Sequence, residues 1–425
     1  MCEFEKKFSL PSRYEFEGKS VWVEYHELAT KHNPINLGHG FPNFPPPQYV
    51  KDALMEVASS PDNSLNQYTR GPGHPRLVKA LSKLYSSFIG REINPYTEIV
   101  VSMGGYQALF LSIMGIIDKG DEVIIMEPYF DCYADNVKSA GGTPRFISFK
   151  LKENINGVTS DDWVLDRDEL EELFNPKTKA IIINSPQNPL GKVFTLDELT
   201  HIADLCKKWN VVCISDEVYE WLVYDSRKHT RMATLPDMWQ RTLTIGSAGK
   251  SFGVTGWKLG WVYGPDYLIK NLQRVVLTCI RAGNTFLQET AAICIEKELS
   301  RLGRKESYFV SLGKELETKR NVMFEFLTEA GFKPILSGGG YFMLADWSSL
   351  ENLIDLSEEK DKYKDHRFTK WMTKNVGVQA IPINPFYSKD HKHLGENFVR
   401  FCFVKTDSYL EQTAQVFKTW KLQLQ

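Results

Sequence analysis

The sequence lacks an excess of either charge. Its 51 lysines and arginines against 53 aspartates and glutamates leave a formal net charge of −2 over 425 residues. No lysine- or arginine-rich block supplies a basic surface locally, which argues against nucleic acid or an anionic membrane as a partner. Long hydrophobic runs are missing as well. The longest apolar-rich stretch, Ala108 to Ile117, lies between Gln107 and Asp118, well short of the roughly 20 residues a membrane-spanning helix needs. The seven cysteines (Cys2, Cys132, Cys206, Cys213, Cys279, Cys294, Cys402) form no CxxC pair. With an odd count and no histidine at zinc-ligand spacing, they read as reduced thiols and no metal site is expected. The opening Met1-Cys2-Glu3-Phe4-Glu5-Lys6-Lys7 has no apolar signal region and is too acidic for a typical transit peptide. The expected compartment is therefore cytoplasmic, with a mitochondrial pool left open.

What is present suits a globular chain. Hydrophobic residues make up 42%, and the length accommodates two to four domains or one large α/β domain with a smaller companion. From residue 97 to 264 short β-branched runs alternate with amphipathic helices, the pattern of a largely parallel sheet covered on both faces. The expected strands are Glu98–Ser102, Glu122–Met126, Arg145–Phe149, Ala180–Asn184, Val211–Ser215, Thr242–Gly246 and Gly260–Tyr263. Between the fourth and fifth, Thr195 and Glu198 form a capping box, and Leu196, Leu199, Ile202, Ala203 and Cys206 give a helical apolar stripe. After about residue 290 a long charged helical region, Glu296 to Glu329, precedes short strands at Tyr341–Ala345 and Val399–Val404, as in a separate α+β domain. The first 45 residues are rich in turn formers, and the proline-rich Phe41–Pro47 segment is expected to run extended.

Ligands of open α/β sheets collect beyond the carboxyl ends of the strands, and four of these ends are unusual. Gly104-Gly105-Tyr106 leads into an apolar helix, where backbone donors and the positive end of the helix dipole would stabilise a phosphate. In Asn184-Ser185-Pro186-Gln187-Asn188-Pro189-Leu190-Gly191 the prolines hold Asn188 in a fixed direction. Asp216 ends an apolar strand, a costly place for a carboxylate without a cationic partner, and Tyr219 follows three residues on. Lys250 lies among small residues in Ser247-Ala248-Gly249-Lys250-Ser251, where desolvation would favour a neutral, nucleophilic amine.

Two rival readings lose their defining residues. Gly249-Lys250-Ser251 copies the end of a nucleotide-phosphate loop, but Thr244 stands where its first glycine belongs. The spacing of Gly253, Gly256 and Gly260 does not make the glycine fingerprint of a nicotinamide fold. A phosphate cradle, a fixed Asn, a buried Asp with a nearby Tyr, and an activated Lys are together the set that a pyridoxal 5′-phosphate site requires.

These residues carry a resemblance. The blocks Asn36–Pro42, Asn66-Gln67-Tyr68-Thr69, Gly104-Gly105-Tyr106, Glu127–Tyr133, Asn188-Pro189-Leu190-Gly191-Lys192, Asp216-Glu217-Val218-Tyr219, Ser247-Ala248-Gly249-Lys250 and Arg400-Phe401-Cys402-Phe403 occur in the order found in the fold-type-I, class-I aminotransferases. Nearly the whole chain resembles the kynurenine aminotransferase, glutamine transaminase K and cysteine-S-conjugate β-lyase group. The resemblance implies an α/β fold with a large, mixed but mostly parallel seven-stranded sheet domain and a smaller α+β domain built from both termini. The expected division is 1–50 as an N-terminal arm and part of the small domain, 51–295 as the cofactor-binding domain and 296–425 as the small C-terminal domain.

It also implies roles. Lys250 resembles the Schiff-base lysine and proton carrier, Asp216 the partner of the pyridinium, and Asn188 and Tyr219 the donors to the phenolic oxygen. Phe130 would stack on the ring. Gly105, Tyr106, Ser247, Lys258 and, from a neighbouring subunit, Tyr68 would hold the phosphate. Arg400 would clamp the substrate carboxylate with help from Asn188 and Gly40, and Trp22 would line an aromatic side-chain pocket. The implied activity is ping-pong transfer of an amino group from kynurenine, glutamine, aromatic or sulfur amino acids to a 2-oxo acid by a homodimer. The alternatives are a β-lyase of cysteine S-conjugates or a class-I aminotransferase of other preference. Lys258 replaces the arginine of the general class-I signature, as is usual within the kynurenine group. Cys279-Ile280-Arg281-Ala282-Gly283 departs from relatives, which commonly carry an aromatic residue and a histidine there. An inward-pointing Arg281 would favour acidic substrates.

Overall fold

A computed structural model describes residues 7–14, 20–152 and 158–424; Cys2 and the rest of the opening segment to residue 6 lie outside them. Seven strands form the main sheet: β1 (Ile99–Ser102), β2 (Glu122–Glu127), β3 (Thr143–Ser148), β4 (Thr178–Asn184), β5 (Val212–Asp216), β6 (Thr242–Ser247) and β7 (Gly260–Tyr263). Their spatial order is β1-β7-β6-β5-β4-β2-β3. Only β7 runs antiparallel to its neighbours, β1 and β6. The sheet is the mixed, mostly parallel seven-stranded one expected. Its strands read as continuous apolar runs because both faces are buried, as in Ala180-Ile181-Ile182-Ile183, all at 1% exposure or less.

Register then builds the site. Asn184 pairs with Asp216 across β4 and β5, Asp216 with Ile245 across β5 and β6, and Gly260 lies opposite both Ser247 and Ser102. Asn184 and Asp216 therefore stand side by side at the carboxyl edge, level with Ile245, and Ser247 and Ser102 flank Gly260 two residues further along β6. A side chain at Gly260 would put a carbon 2.6 Å from the Gly104 backbone, so glycine is what lets β7 pass so close to the start of the helix Gly104–Met114. The helix Leu196–Trp209 has its capping box, with Thr195 and Glu198 bonded reciprocally, and ends on left-handed Asn210.

A second, four-stranded antiparallel sheet contains β8 (Lys333–Pro334), β9 (Phe342–Asp346), β10 (Ile381–Pro382) and β11 (Phe398–Cys402). The long helices Tyr308–Ala330 and Asp407–Gln423 pack together beside it. The N-terminal segment joins this part of the chain: Ile35–Asn36 pairs in parallel with Val378–Gln379, and the Cys402 amide donates to the Leu37 carbonyl at 2.7 Å.

Two helical features go beyond what the sequence pattern specified. The turn-rich first 45 residues contain the helix Val21–His32. Val21, Trp22, Tyr25 and Leu28 give it an apolar face at helical spacing, and Val21 and Tyr25 are buried. The charged region expected as one stretch from residue 296 to 329 is two helices, Thr285–Arg301 and Tyr308–Ala330, separated at Gly303, whose φ of 74° lies in the left-handed region. The first crosses residue 295 and packs on the helices Gln48–Ala58 and Pro75–Ile89. The Phe41–Pro47 segment is not helical, and a helix begins directly after Pro47. Among the described residues no helix is long and apolar enough to cross a membrane, and no cluster of three or more His, Cys, Asp or Glu could hold a metal ion.

Candidate active site

A cavity of about 370 Å³ opens where the carboxyl edge of the main sheet meets the N-terminal segment and the second sheet. Lys250 enters it from the short helix Ala248–Ser251, immediately after β6. Its Nζ lies 2.5 Å from the Tyr341 hydroxyl, and burial lowers its pKa to about 8. At neutral pH a usable fraction of this amine is therefore unprotonated.

Asp216 ends β5 at 4% exposure. It accepts the Tyr133 hydroxyl at 2.6 Å and the Val218 amide at 3.4 Å. These two donors do not offset its burial, which pushes the carboxyl up to about 6. The Asn184 side chain locks the turn beyond it, donating to the Asp216 carbonyl at 2.8 Å while its Oδ1 accepts the Asn188 amide at 2.7 Å. The loop carrying Asn188 contains two cis bonds, Ser185–Pro186 and Asn188–Pro189.

Arg400, on β11, is 1% exposed. Its Nη1 donates to Asn188 Oδ1 at 2.9 Å and its Nη2 to the Gly38 carbonyl at 3.0 Å. Nε has no partner. Phe342, Phe386 and Trp22 face the guanidinium at 4.0, 5.2 and 5.3 Å from their ring centres, and burial lowers its pKa to about 10. A buried, partly unpaired cation of this kind is matched to a carboxylate. With Asn188 Oδ1 taken by Arg400, the group Asn188 offers a ligand is its Nδ2 donor.

Opposite, the amides of Gly104, Gly105 and Tyr106 open the helix Gly104–Met114 and have no partner within it. A side chain at Gly105 would meet Val218 at 3.2 Å and Ser247 at 3.8 Å, and Lys258 Nζ lies 3.6 Å from where one at Gly104 would stand. Exposed amides, a hydroxyl and an ammonium around space kept open by glycine are the donor set for a phosphate. Asp216, on the wall of the same cavity, has no cation bonded to it among the described residues and suits a protonated ring nitrogen. The residues present thus fit pyridoxal phosphate, one end for each of its charges.

The family model for aminotransferase class I and II matches residues 32–417. The chain belongs to this aminotransferase family. Among similar proteins, Kynurenine--oxoglutarate transaminase 3 of Homo sapiens is 50% identical over 98% of this chain and 91% of its own length. Kynurenine--oxoglutarate transaminase 1 of Homo sapiens is 44% identical over 95% and 96%. Of solved structures, Saccharomyces cerevisiae Bna3p superposes with a TM-score of 0.88 at 36% identity, covering 95% of this chain and 96% of that one. The N-succinyldiaminopimelate aminotransferase of Mycobacterium tuberculosis gives 0.85 at 32%, covering 97% and 100%. The chain is an aminotransferase, and members of its family depend on pyridoxal phosphate.

In this aminotransferase the cavity wall includes every site residue expected from sequence except one: Trp22, Gly40, Gly105, Tyr106, Phe130, Asn188, Asp216, Tyr219, Ser247, Lys250, Lys258 and Arg400. Tyr68 stands apart. It is 87% exposed, with the Arg281 guanidinium 5.6 Å from its ring centre. Arg281 is exposed, has a left-handed φ of 62° and does not line the cavity of its own subunit. Sequence reading missed Tyr341, Phe342, Tyr133, Asn184 and Asp131. Gly338-Gly339-Gly340 just before Tyr341, and the position of Asp131 and Tyr133 beside Phe130, were the available signals.

Proposed function

We propose that this aminotransferase holds pyridoxal phosphate in the cavity and works as a homodimer. In this reading it moves the amino group of kynurenine, glutamine or an aromatic or sulfur amino acid to a 2-oxo acid, in a ping-pong cycle. The observation that carries the reading is the convergence of half-buried Lys250 and buried Asp216 and Arg400, from three separate stretches of chain, on one cavity. When bound, the cofactor supplies an electron sink that makes the α-proton of an amino acid removable.

The protein's own groups do the rest. Gly105, Tyr106, Ser247 and Lys258 would hold the phosphate, Phe130 would cover the ring, and Asp216 would keep the ring nitrogen protonated. Asn188 Nδ2 and the Tyr219 hydroxyl would donate to the phenolic oxygen. Arg400, with Asn188 and the Gly40 backbone, fixes the substrate carboxylate, so that the α-carbon faces Lys250. Lys250 Nζ, as the free amine, would take the α-proton of the amino acid and hold it as the ammonium, a task suited to an amine with a pKa near working pH. Trp22 and Phe342 meet the side chain, and both favour planar or apolar groups. Exposed Tyr68 supports a two-subunit site, in which it reaches the partner's phosphate. The Kynurenine--oxoglutarate transaminase relatives support the choice of donor. Steady-state assays with kynurenine and glutamine against a panel of 2-oxo acids test this. Turnover with parallel double-reciprocal lines is the expected result. Turnover confined to donors with small or acidic side chains would overturn the substrate assignment.

A further inference from the structure

Tyr341 joins three distant parts of the chain at the reacting amine. It precedes β9, is 2% exposed, and its ring meets that of Tyr219 edge-on at 5.0 Å. Its hydroxyl accepts from Lys250 Nζ at 2.5 Å and donates to the Gly40 carbonyl at 2.8 Å. A phenol has one proton. With that proton committed to Gly40, the oxygen can only accept at Lys250.

Gly40 is itself held. Four consecutive carbonyls, Gly38 to Phe41, are each tied by a donor from a side chain: Arg400 Nη2 on Gly38 at 3.0 Å, Lys405 Nζ on His39 at 3.1 Å, Tyr341 on Gly40, and Lys405 Nζ on Phe41 at 2.8 Å. The acceptor at Gly40 is therefore fixed, and with it the orientation of the Tyr341 hydroxyl. We propose that Tyr341 is a further catalytic residue, an acceptor-only partner that holds the Lys250 amine in place and steadies the proton it carries. The proposal rests on Lys250 being the reacting amine of the proposed function.

The direction of the effect follows from the bond. An acceptor aimed at Nζ stabilises the ammonium over the free amine, and so offsets part of the burial that lowers the pKa of Lys250 to about 8. The other groups acting on this amine are Asp216 at the end of β5, Lys258 before β7, and Arg400 and Cys402 on β11, with the Tyr219 ring centre at 5.5 Å. Asp216, Lys258, Arg400 and Cys402 are unaltered when Tyr341 loses only its oxygen, and the Tyr219 hydroxyl loses the one contact it makes with that oxygen. Tyr341→Phe keeps the ring against Tyr219 and Phe342 while deleting the acceptor. The Lys250 ammonium should then give up its proton more easily, and the amine should turn more freely.

The test uses the apoenzyme of the full chain and reads the amine directly. Fluorodinitrobenzene reacts with free amines only, so its rate at Lys250, followed by peptide mapping across pH, reports the midpoint of deprotonation. We expect the midpoint in Tyr341→Phe to lie about one pH unit below wild type, and the acid limb of kcat in the cofactor-loaded enzyme to move the same way. An unchanged midpoint would overturn the proposal. Should Tyr341→Phe not fold, a ring-fluorinated tyrosine at 341, a weaker acceptor of nearly the same shape, must lower the midpoint, and its failure to do so overturns the proposal equally. Because the labelling needs no turnover, an enzyme inactive with every amino acid would sink the proposed function and leave this result standing by itself.

Discussion

Trp22 Nε1 donates to Asp131 Oδ2 at 2.6 Å, linking the N-terminal helix to the residue next to Phe130. The second oxygen of Asp131 is buried without a partner among the described residues, and burial raises the carboxyl's pKa. The bond holds the indole beside the Arg400 guanidinium and edge-on to Phe386 at 6.4 Å, where a substrate side chain would meet it. Asp131→Ala should free the indole and raise KM for phenylalanine or kynurenine about tenfold, equivalent to about 1.4 kcal/mol, with little change for alanine. Asp131→Asn keeps an acceptor and should recover most of the loss. Equal changes in KM for aromatic and small donors would contradict the role.

Asp216 links function to a cost in stability. Its pKa in the folded chain, about 6, lies above the ordinary value of 3.8, so between these pH values the native apoenzyme retains a proton that the unfolded chain releases. Apoenzyme stability therefore falls as pH rises through that window, and the whole cost, about 3 kcal/mol, is present above it. Asp216→Asn cannot ionise. At pH 8 its apoenzyme should melt at a higher temperature than wild type while cofactor affinity and kcat collapse. Thermal melts at pH 4 and pH 8 check this, and a variant less stable than wild type at pH 8 would contradict it.

Lys405 is 2% exposed and donates to both the His39 and Phe41 carbonyls. Lys405→Met preserves the apolar stem and removes both bonds, loosening the segment that carries Gly40. KM for the amino donor should rise about fivefold with kcat within about twofold, the loss of one to two buried hydrogen bonds. A fall in kcat alone would point to another role.

Arg281 tests the two-subunit site. Its guanidinium sits against Tyr68, so a Tyr68 that reaches the partner's cavity carries a cation with it. Arg281→Ala should lower kcat/KM for glutamate relative to phenylalanine several-fold. An unchanged ratio would remove Arg281 from substrate selection.

The parts legible in the sequence were those set by local pattern. Runs such as Ala180–Ile183 announce buried parallel strands, and residues just past a strand end, Asn188, Asp216 and Lys250, are readable because a polar group there needs a reason. What escaped depends on partners remote in the chain. Tyr341 matters through Lys250, 91 residues away, Asp131 through Trp22, 109 away, and Tyr133 through Asp216, 83 away. Each is a tyrosine or carboxylate whose local surroundings would suit a surface or a core equally. The helix Val21–His32 was hidden because turn formers before and after it dominate the window in which its short apolar face lies.

The most direct measurement is the visible absorbance of the protein supplied with pyridoxal phosphate, for wild type and Lys250→Ala, before and after adding glutamine. The wild type should show a cofactor band that bleaches with glutamine and returns with a 2-oxo acid, and Lys250→Ala should show no such cycle. A wild type that takes up no cofactor, or a Lys250→Ala variant that cycles like wild type, would contradict the assignment of Lys250 and with it the roles given to Asp216, Asn188, Tyr219 and Tyr341.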